Sequence, residues 1–183
     1  MTLILTIRAK DGVVVASDAQ ITTGPVRSTG QKIRKLNDCC LWAASGELAL
    51  VQRVEEAVEA APKDQPLRGL RDGLALAVRN SVDQLLRVDF RTQFFQSNPD
   101  QLLKLHSGDF VFAEVRECNQ SVLHVEVHGT PEWVTDCFAT GSGSLFAYAL
   151  LQRYRNLICE ITVEQASLLA YKVIRETIEV GAY

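Results

Sequence analysis

The sequence predicts an α+β protein built as a four-layer α-β-β-α sandwich of two antiparallel sheets. Three observations lead there. Along the chain the order is strands, two helices, strands, two helices. Strands that come in runs pair antiparallel, whereas a parallel sheet needs a crossover helix after each strand. Each helix pair carries an apolar stripe, so two sheets can each be covered on their outer side. The 183 residues, 47% apolar and 22% charged, suffice to bury such a core, and no repeat, low-complexity run or linker divides residues 1–183 into more than one domain.

The elements follow in order. Leu3–Ala9 and Gly12–Ala19 are β-rich runs joined by Lys10-Asp11, with Asp11-Gly12 as a hairpin signal. Thr22-Thr-Gly-Pro25 breaks the second run, a polar segment covers Arg27–Lys35, and Cys39–Ala44 reads as a buried strand ended by Gly46. From Glu47 the period becomes helical, with Leu48, Val51, Val54 and Val58 on one stripe and a stop before Pro62. A second stripe, Leu70, Leu74, Ala77, Val78, Val82 and Leu85, runs to about Val88. Asp89–Ser107 reads as loop with a short helix near Pro99–Leu105. Alternating strands resume at Phe110–Arg116 and Ser121–Val127, and Trp133–Thr140 reads as one further strand. Gly141–Ser144 turns into a helix over Leu145–Asn156, and Thr162…Gln165 is a capping box opening a last helix to about Ile178.

Composition excludes several function classes. With 19 basic against 22 acidic residues and a net charge of −3, no basic face for nucleic acid is expected. No apolar run nears the ~18 residues of a membrane span, and the N-terminus lacks the basic-apolar-small order of a signal peptide. A cytoplasmic protein without a membrane partner is the expectation. The five cysteines, Cys39, Cys40, Cys118, Cys137 and Cys159, are odd in number, lack Cys-x-x-Cys spacing and read as reduced core residues.

Candidate chemistry starts at Thr2. Removal of Met1 would leave a threonine whose own amine, with an unperturbed pKa of about 7.7–8.0, can serve as base for its hydroxyl. Asp18 places a charge at the end of an apolar strand, and Lys32 is a cation that, paired with a buried Asp18 near Thr2, would lower the hydroxyl pKa. Gly46 could offer its N–H to a developing oxyanion. Taken singly, each reads as readily as a surface charge or a turn glycine. Rival sites are a phosphate cradle at Gly141-Ser-Gly-Ser, which lacks a P-loop lysine, and a metal site on His124, Glu126 and His128, which share one strand parity but have no evident further ligand.

Together, Thr2, the run Lys10-Asp-Gly-Val-Val-Val-Ala-Ser-Asp18-Ala-Gln-Ile-Thr22-Thr-Gly24, the Lys32 segment, Ala44-Ser-Gly46 and Thr140-Gly-Ser142-Gly-Ser resemble the proteasome β-subunit family of N-terminal-nucleophile hydrolases, in matching order over nearly the whole chain. The Ser-Asp-Ala-Gln-Ile-Thr and Lys-Ile-Arg-Lys-Leu strings are most similar to its bacterial, HslV-like branch. The resemblance implies the N-terminal-nucleophile sandwich and a threonine-type endopeptidase: Thr2 as nucleophile and base, Asp18 and Lys32 as supporting ion pair, Gly46 at the oxyanion and Ser142 at the Thr2 amine. Thr22 and Gly46 would hold the substrate main chain, and Leu48 would line the pocket for the side chain before the cut. No metal or cofactor takes part.

A two-residue deletion after Gly30 leaves Lys32 or Lys35 as the lysine, with Lys32 the better fit. Glu179 stands where the family has an Asp after the last helix, and family members generally continue past the position of Tyr183 into further strands. The implied partners are copies of the chain in a ring of six or seven, stacked or single, unfolded polypeptides as substrates and an ATPase unfoldase. The alternatives within the resemblance are an inactive ring scaffold and an amide hydrolase that is not a peptidase.

Overall fold

The computed structural model describes residues 2–23, 26–89, 108–117 and 119–181. Among the described residues, ten strands and four helices are arranged as β1 (Ile4–Ala9), β2 (Gly12–Ser17), β3 (Gln20–Thr23), β4 (Val26–Thr29), β5 (Ile33–Asn37), β6 (Cys40–Gly46), α1 (Leu48–Glu59), α2 (Leu67–Gln84), β7 (Gly108–Arg116), β8 (Asn119–Glu126), β9 (Pro131–Trp133), β10 (Cys137–Thr140), α3 (Ser144–Leu151) and α4 (Val163–Gly181). A five-stranded antiparallel sheet of order β5-β6-β7-β8-β9 faces a three-stranded one of order β10-β1-β2, and β3-β4 forms a separate hairpin.

Strand alternation sorts the side chains into layers. On the five-stranded sheet, Trp42, Phe110, Phe112, Leu123 and Val125 face outward to α1 and α2, joining Val54, Val58, Leu70, Leu74 and Val78 in one cluster. On the smaller sheet, Leu3, Leu5 and Ile7 pack against Ala166, Ala170 and Val173 of α4. The alternate positions Ile4, Ala43, Val111, Ala113 and Val122 fill the space between the sheets. The α-β-β-α sandwich expected from the sequence is therefore the fold.

The ends of the helices are satisfied by distant residues. Asp11, in the first hairpin turn, accepts from the Val163 N–H at 2.7 Å and caps α4. The capping box closes as expected, Gln165 N–H to Thr162 Oγ1 at 3.3 Å and Thr162 N–H to Gln165 Oε1 at 3.0 Å. Pro66 has no side-chain acceptor to cap α2, and the buried Glu114 of β7 takes that place, its two carboxylate oxygens 3.1 and 3.0 Å from the Leu67 nitrogen. A carboxylate at a helix N-terminus answers both unpaired N–H groups and the helix dipole. Glu114→Ala is expected to lower unfolding free energy by about 1–3 kcal/mol and Glu114→Gln by less, as read from urea denaturation.

Several segments differ from the sequence reading. The polar stretch Arg27–Lys35 contributes β4 and the start of β5. Trp133–Thr140 is two strands in different sheets: Val134 N–H still bonds to Val122 of β8, but Asp136 already accepts from Arg8 of β1. The third helix stops at Leu151, where a tighter turn through Tyr154 brings the fully buried Ile158 to the core. The second helix continues through a π-type turn at Leu85–Asp89, and the loop and short helix expected over Asp89–Ser107 lie, beyond Asp89, outside the described residues.

Cys40 is buried and its thiol is pushed up to about 12, chiefly by desolvation, and Cys137 to about 11 for the same reason. Cys159, expected in the core, is exposed, and Cys118 lies outside the described residues. No helix among the described residues is long and apolar enough to cross a membrane.

Candidate active site

Thr2 lies just ahead of β1 at one end of the gap between the two sheets, with a cavity on either side. The turn after β10 holds its backbone. Gly143 N–H donates to the Thr2 carbonyl at 3.1 Å, and the Thr2 nitrogen donates to Ser142 Oγ at 3.0 Å. Gly141 makes this approach feasible. Its φ of +95° favours glycine, and a Cβ there would lie 2.8 Å from the Thr2 carbonyl carbon and closer still to its oxygen.

Beneath Thr2 lies a buried ion pair. Lys32 Nζ donates to Asp18 Oδ1 at 2.8 Å, with side chains only 7% and 3% exposed. The same oxygen accepts the Leu3 N–H at 2.6 Å, and Oδ2 accepts the Gln20 N–H at 2.9 Å. Three donors thus compensate the buried carboxylate, and one belongs to the residue after Thr2. Lys35, the other candidate, is 62% exposed and pairs with Asp38 at the surface, which holds the Asp38 carboxyl below its ordinary value.

The smaller cavity, of ≈ 70 Å³, is lined by Thr2, Gln20, Ile21, Lys32, Gly46, Leu48 and Val51 among others. Periodicity put Leu48 on the core stripe of α1, whereas the family resemblance put it at the substrate pocket. It is 42% exposed and faces this cavity, while Leu50 occupies the core. Thr22 lies on β3 one residue beyond Ile21, paired with Arg27 of β4. Gly46, at φ +127°, ends β6 and lines both cavities.

The larger cavity, of ≈ 650 Å³, contains a polar network that the sequence reading missed. At this end the layer between the sheets changes from apolar to polar. Ser45 on β6 sits across from Asp109 on β7, and Asp109 across from Glu126 on β8. Thr140 Oγ1 donates to Asp109 Oδ2 at 2.6 Å and lies 2.8 Å from Ser45 Oγ, while His124 Nε2 is 2.9 Å from Asp109 Oδ1 and its ring packs 4.2 Å from that of Phe138. Burial opposes ionising Asp109, but the bonds from His124 and Thr140, with the attraction of His124, outweigh it and hold the carboxyl below the ordinary aspartate value. The available signal was an acidic residue at the inward parity of an apolar strand, together with two hydroxyl residues each preceding a glycine.

Glu179 is not brought to this cluster. It is exposed near the end of α4 and pairs with Arg175 one turn back, a spacing that puts both on one helix face. The rival metal site fares no better. His124 points inward to Asp109 while His128 lies beyond the end of β8, and no group of three metal-ligating side chains is present among the described residues. A further cavity, of ≈ 640 Å³ between α1 and α2, is lined by Arg53, Glu56 and Gln84 and does not include Thr2 or its ion pair.

A four-layer α-β-β-α sandwich of two antiparallel sheets is the fold of the N-terminal-nucleophile hydrolases. Residues 2–96 match the family model of the proteasome subunit. The chain belongs to the proteasome family, as a β-type member. It is 31% identical to a Proteasome subunit beta 1 of Pyrobaculum calidifontis, over 97% of this chain and 83% of that one. It is 29% identical to a Proteasome subunit beta of Nanoarchaeum equitans, over 97% and 85%. Among solved structures it resembles the Anbu (ancestral beta-subunit) of Yersinia bercovieri, with a TM-score of 0.76, 15% identity and coverage of 97% and 75%. Eukaryotic HslV from Trypanosoma brucei has a TM-score of 0.60, 19% identity and coverage of 97% and 91%. A helical assembly of the Anbu complex from Pseudomonas aeruginosa has a TM-score of 0.74, 17% identity and coverage of 97% and 75%. These structural likenesses concern the fold.

Proposed function

We propose that the chain is a threonine-type endopeptidase that hydrolyses peptide bonds of unfolded polypeptides through Thr2 after removal of Met1. The observation that carries this reading is the buried Lys32–Asp18 pair, tied through the Leu3 N–H to the backbone next to Thr2. Family membership supports it.

With Met1 gone, the Thr2 nitrogen is an amine and takes the proton of its own hydroxyl as Oγ attacks the substrate carbonyl. Lys32 stabilises the developing alkoxide, and Asp18 keeps Lys32 in place. The Gly46 N–H faces the oxyanion, and collapse of the tetrahedral intermediate breaks the C–N bond as the amine returns its proton to the leaving nitrogen. Water then attacks the ester, releases the carboxylic acid product and restores Thr2. Ser142 orients the amine throughout. Thr22 and Gly46 hold the substrate backbone, and Leu48 meets the side chain before the cut. Glu179 takes no part in this scheme. The proposal includes self-assembly into a ring of six or seven subunits, single or stacked, fed in the cytoplasm by an ATPase unfoldase; the relatives named above support the self-assembly.

The test is intact mass of protein lacking Met1, before and after incubation with a peptide epoxyketone, which needs both hydroxyl and free amine. One adduct per chain is expected, and none in Thr2→Ala. Absence of an adduct on the processed wild type overturns the reading in favour of a scaffold. Cleavage of small amides but of no peptide would make it an amide hydrolase of another kind.

A further inference from the structure

We infer that Thr140, oriented by Asp109, is a positioning residue for the reaction at Thr2: it pins the turn that grips Thr2 to the strand that ends in Gly46. The inference rests on the hydrolase reading above and adds residues to it.

The bond directions follow from chemistry. A carboxylate only accepts, so the 2.6 Å contact makes Thr140 the donor to Asp109. Thr140 has one hydroxyl hydrogen, so its 2.8 Å contact with Ser45 must be donated by Ser45. The chain therefore runs Ser45 to Thr140 to Asp109, with His124 on the second carboxylate oxygen. Ser45 and Thr140 are each only 4% exposed, so an unmade bond there is not replaced freely by water.

The bond also joins two sheets. Ser45 belongs to β6 of the five-stranded sheet and Thr140 to β10 of the three-stranded one. One residue beyond Ser45 is Gly46. Beyond Thr140 come Gly141, Ser142 and Gly143, which make the close approach and the two hydrogen bonds to Thr2. The two groups that must stand on either side of the reacting carbonyl are thus held at a set separation by Thr140, whose hydroxyl bonds across the gap to both Ser45 and Asp109 of the five-stranded sheet. Ala43, Val111 and Val122 nearby offer only apolar packing between the sheets, which resists separation but permits sliding.

Thr140→Val removes the hydroxyl at nearly constant volume. The expected result is a roughly 10- to 100-fold fall in the epoxyketone inactivation rate constant, the size of effect that follows about 1 Å of misplacement. The inhibitor's KI should change far less than the rate constant, because Gln20, Ile21, Leu48 and Val51 of the side-chain cavity keep their places and only its Ser45–Gly46 edge is released. Ser45→Ala with Thr140→Val should be no slower than Thr140→Val alone, since Thr140→Val already removes the bond to Ser45 together with that to Asp109, and Thr140→Ser should recover the rate. A Thr140→Val protein that reacts at the wild-type rate, or one that loses rate and KI together with its melting temperature, overturns the inference.

A second readout needs no turnover. The Gly143 amide, bonded to the Thr2 carbonyl, should exchange its hydrogen faster in Thr140→Val while β7–β8 amides keep their protection. If processed wild type forms no adduct, the hydrolase reading fails while the link between the sheets is judged by this exchange alone. Unchanged exchange at Gly143 overturns the link in either case, and raised exchange with unchanged reactivity overturns its role in the reaction.

Discussion

Lys32→Met is expected to abolish peptide hydrolysis, by on the order of 10³–10⁴-fold, and to lower unfolding free energy by about 3–5 kcal/mol. The two effects have separate causes. The loss of activity follows, on the proposed mechanism, from removing the cation that stabilises the Thr2 alkoxide. The loss of stability follows from leaving Asp18 ionised, buried and short of its strongest partner, with only the Leu3 and Gln20 N–H groups still donating. Asp18→Asn combined with Lys32→Met should regain part of the stability and none of the activity, because the uncompensated charge is gone but the single amide oxygen can answer only one of the Leu3 and Gln20 N–H groups. Lys35→Met is the control: its partner Asp38 is fully exposed, and neither the urea midpoint nor the epoxyketone rate should move. Wild-type turnover in Lys32→Met, or its loss in Lys35→Met, would show that the wrong lysine has been assigned.

Gly141→Ala should reduce the epoxyketone rate by roughly 100-fold or more while retaining the fold. The added Cβ must occupy a left-handed backbone position at φ +95° and would meet the Thr2 carbonyl. Relief requires either Thr2 or the turn to retreat, and both are fixed by the Gly143 and Ser142 bonds. Backbone strain of this kind costs about 1–3 kcal/mol, which a melting curve will register. The informative quantity is the rate per folded molecule. Unaltered reactivity at that level would mean that Thr2 tolerates movement and that the turn does not position it.

Much of this protein was legible before any coordinates. The layer order followed from the grouping of strands and helices, because apolar parity along β1, β6, β7 and β8 requires two covered faces for each sheet. Asp18 stood out as a charge against an apolar strand, and the family pattern around Thr2, Gly46 and Ser142 could be read directly. Periodicity was weaker at helix ends and at strand crossings. Nothing in Trp133–Thr140 marks Val134 as the last residue to bond to β8, since alternation continues while the partner sheet changes.

What the chain's order of residues determined by itself is the set of elements, their buried faces and the chemical groups available at the first strand. These are local matters of period, turn chemistry and charge among apolar neighbours. What only the tertiary structure decided is which of those groups meet. Lys32 and Lys35 differ by three residues and one of them is buried against Asp18. Leu50, off the predicted stripe, fills the core while Leu48 lines a cavity as the family pattern but not the period implied, and Glu179 faces Arg175 and the solvent. Ser45, Asp109, His124 and Thr140 come from four strands separated by up to 95 positions. Their meeting depends on the register and separation of two packed sheets, which no periodicity within one segment encodes.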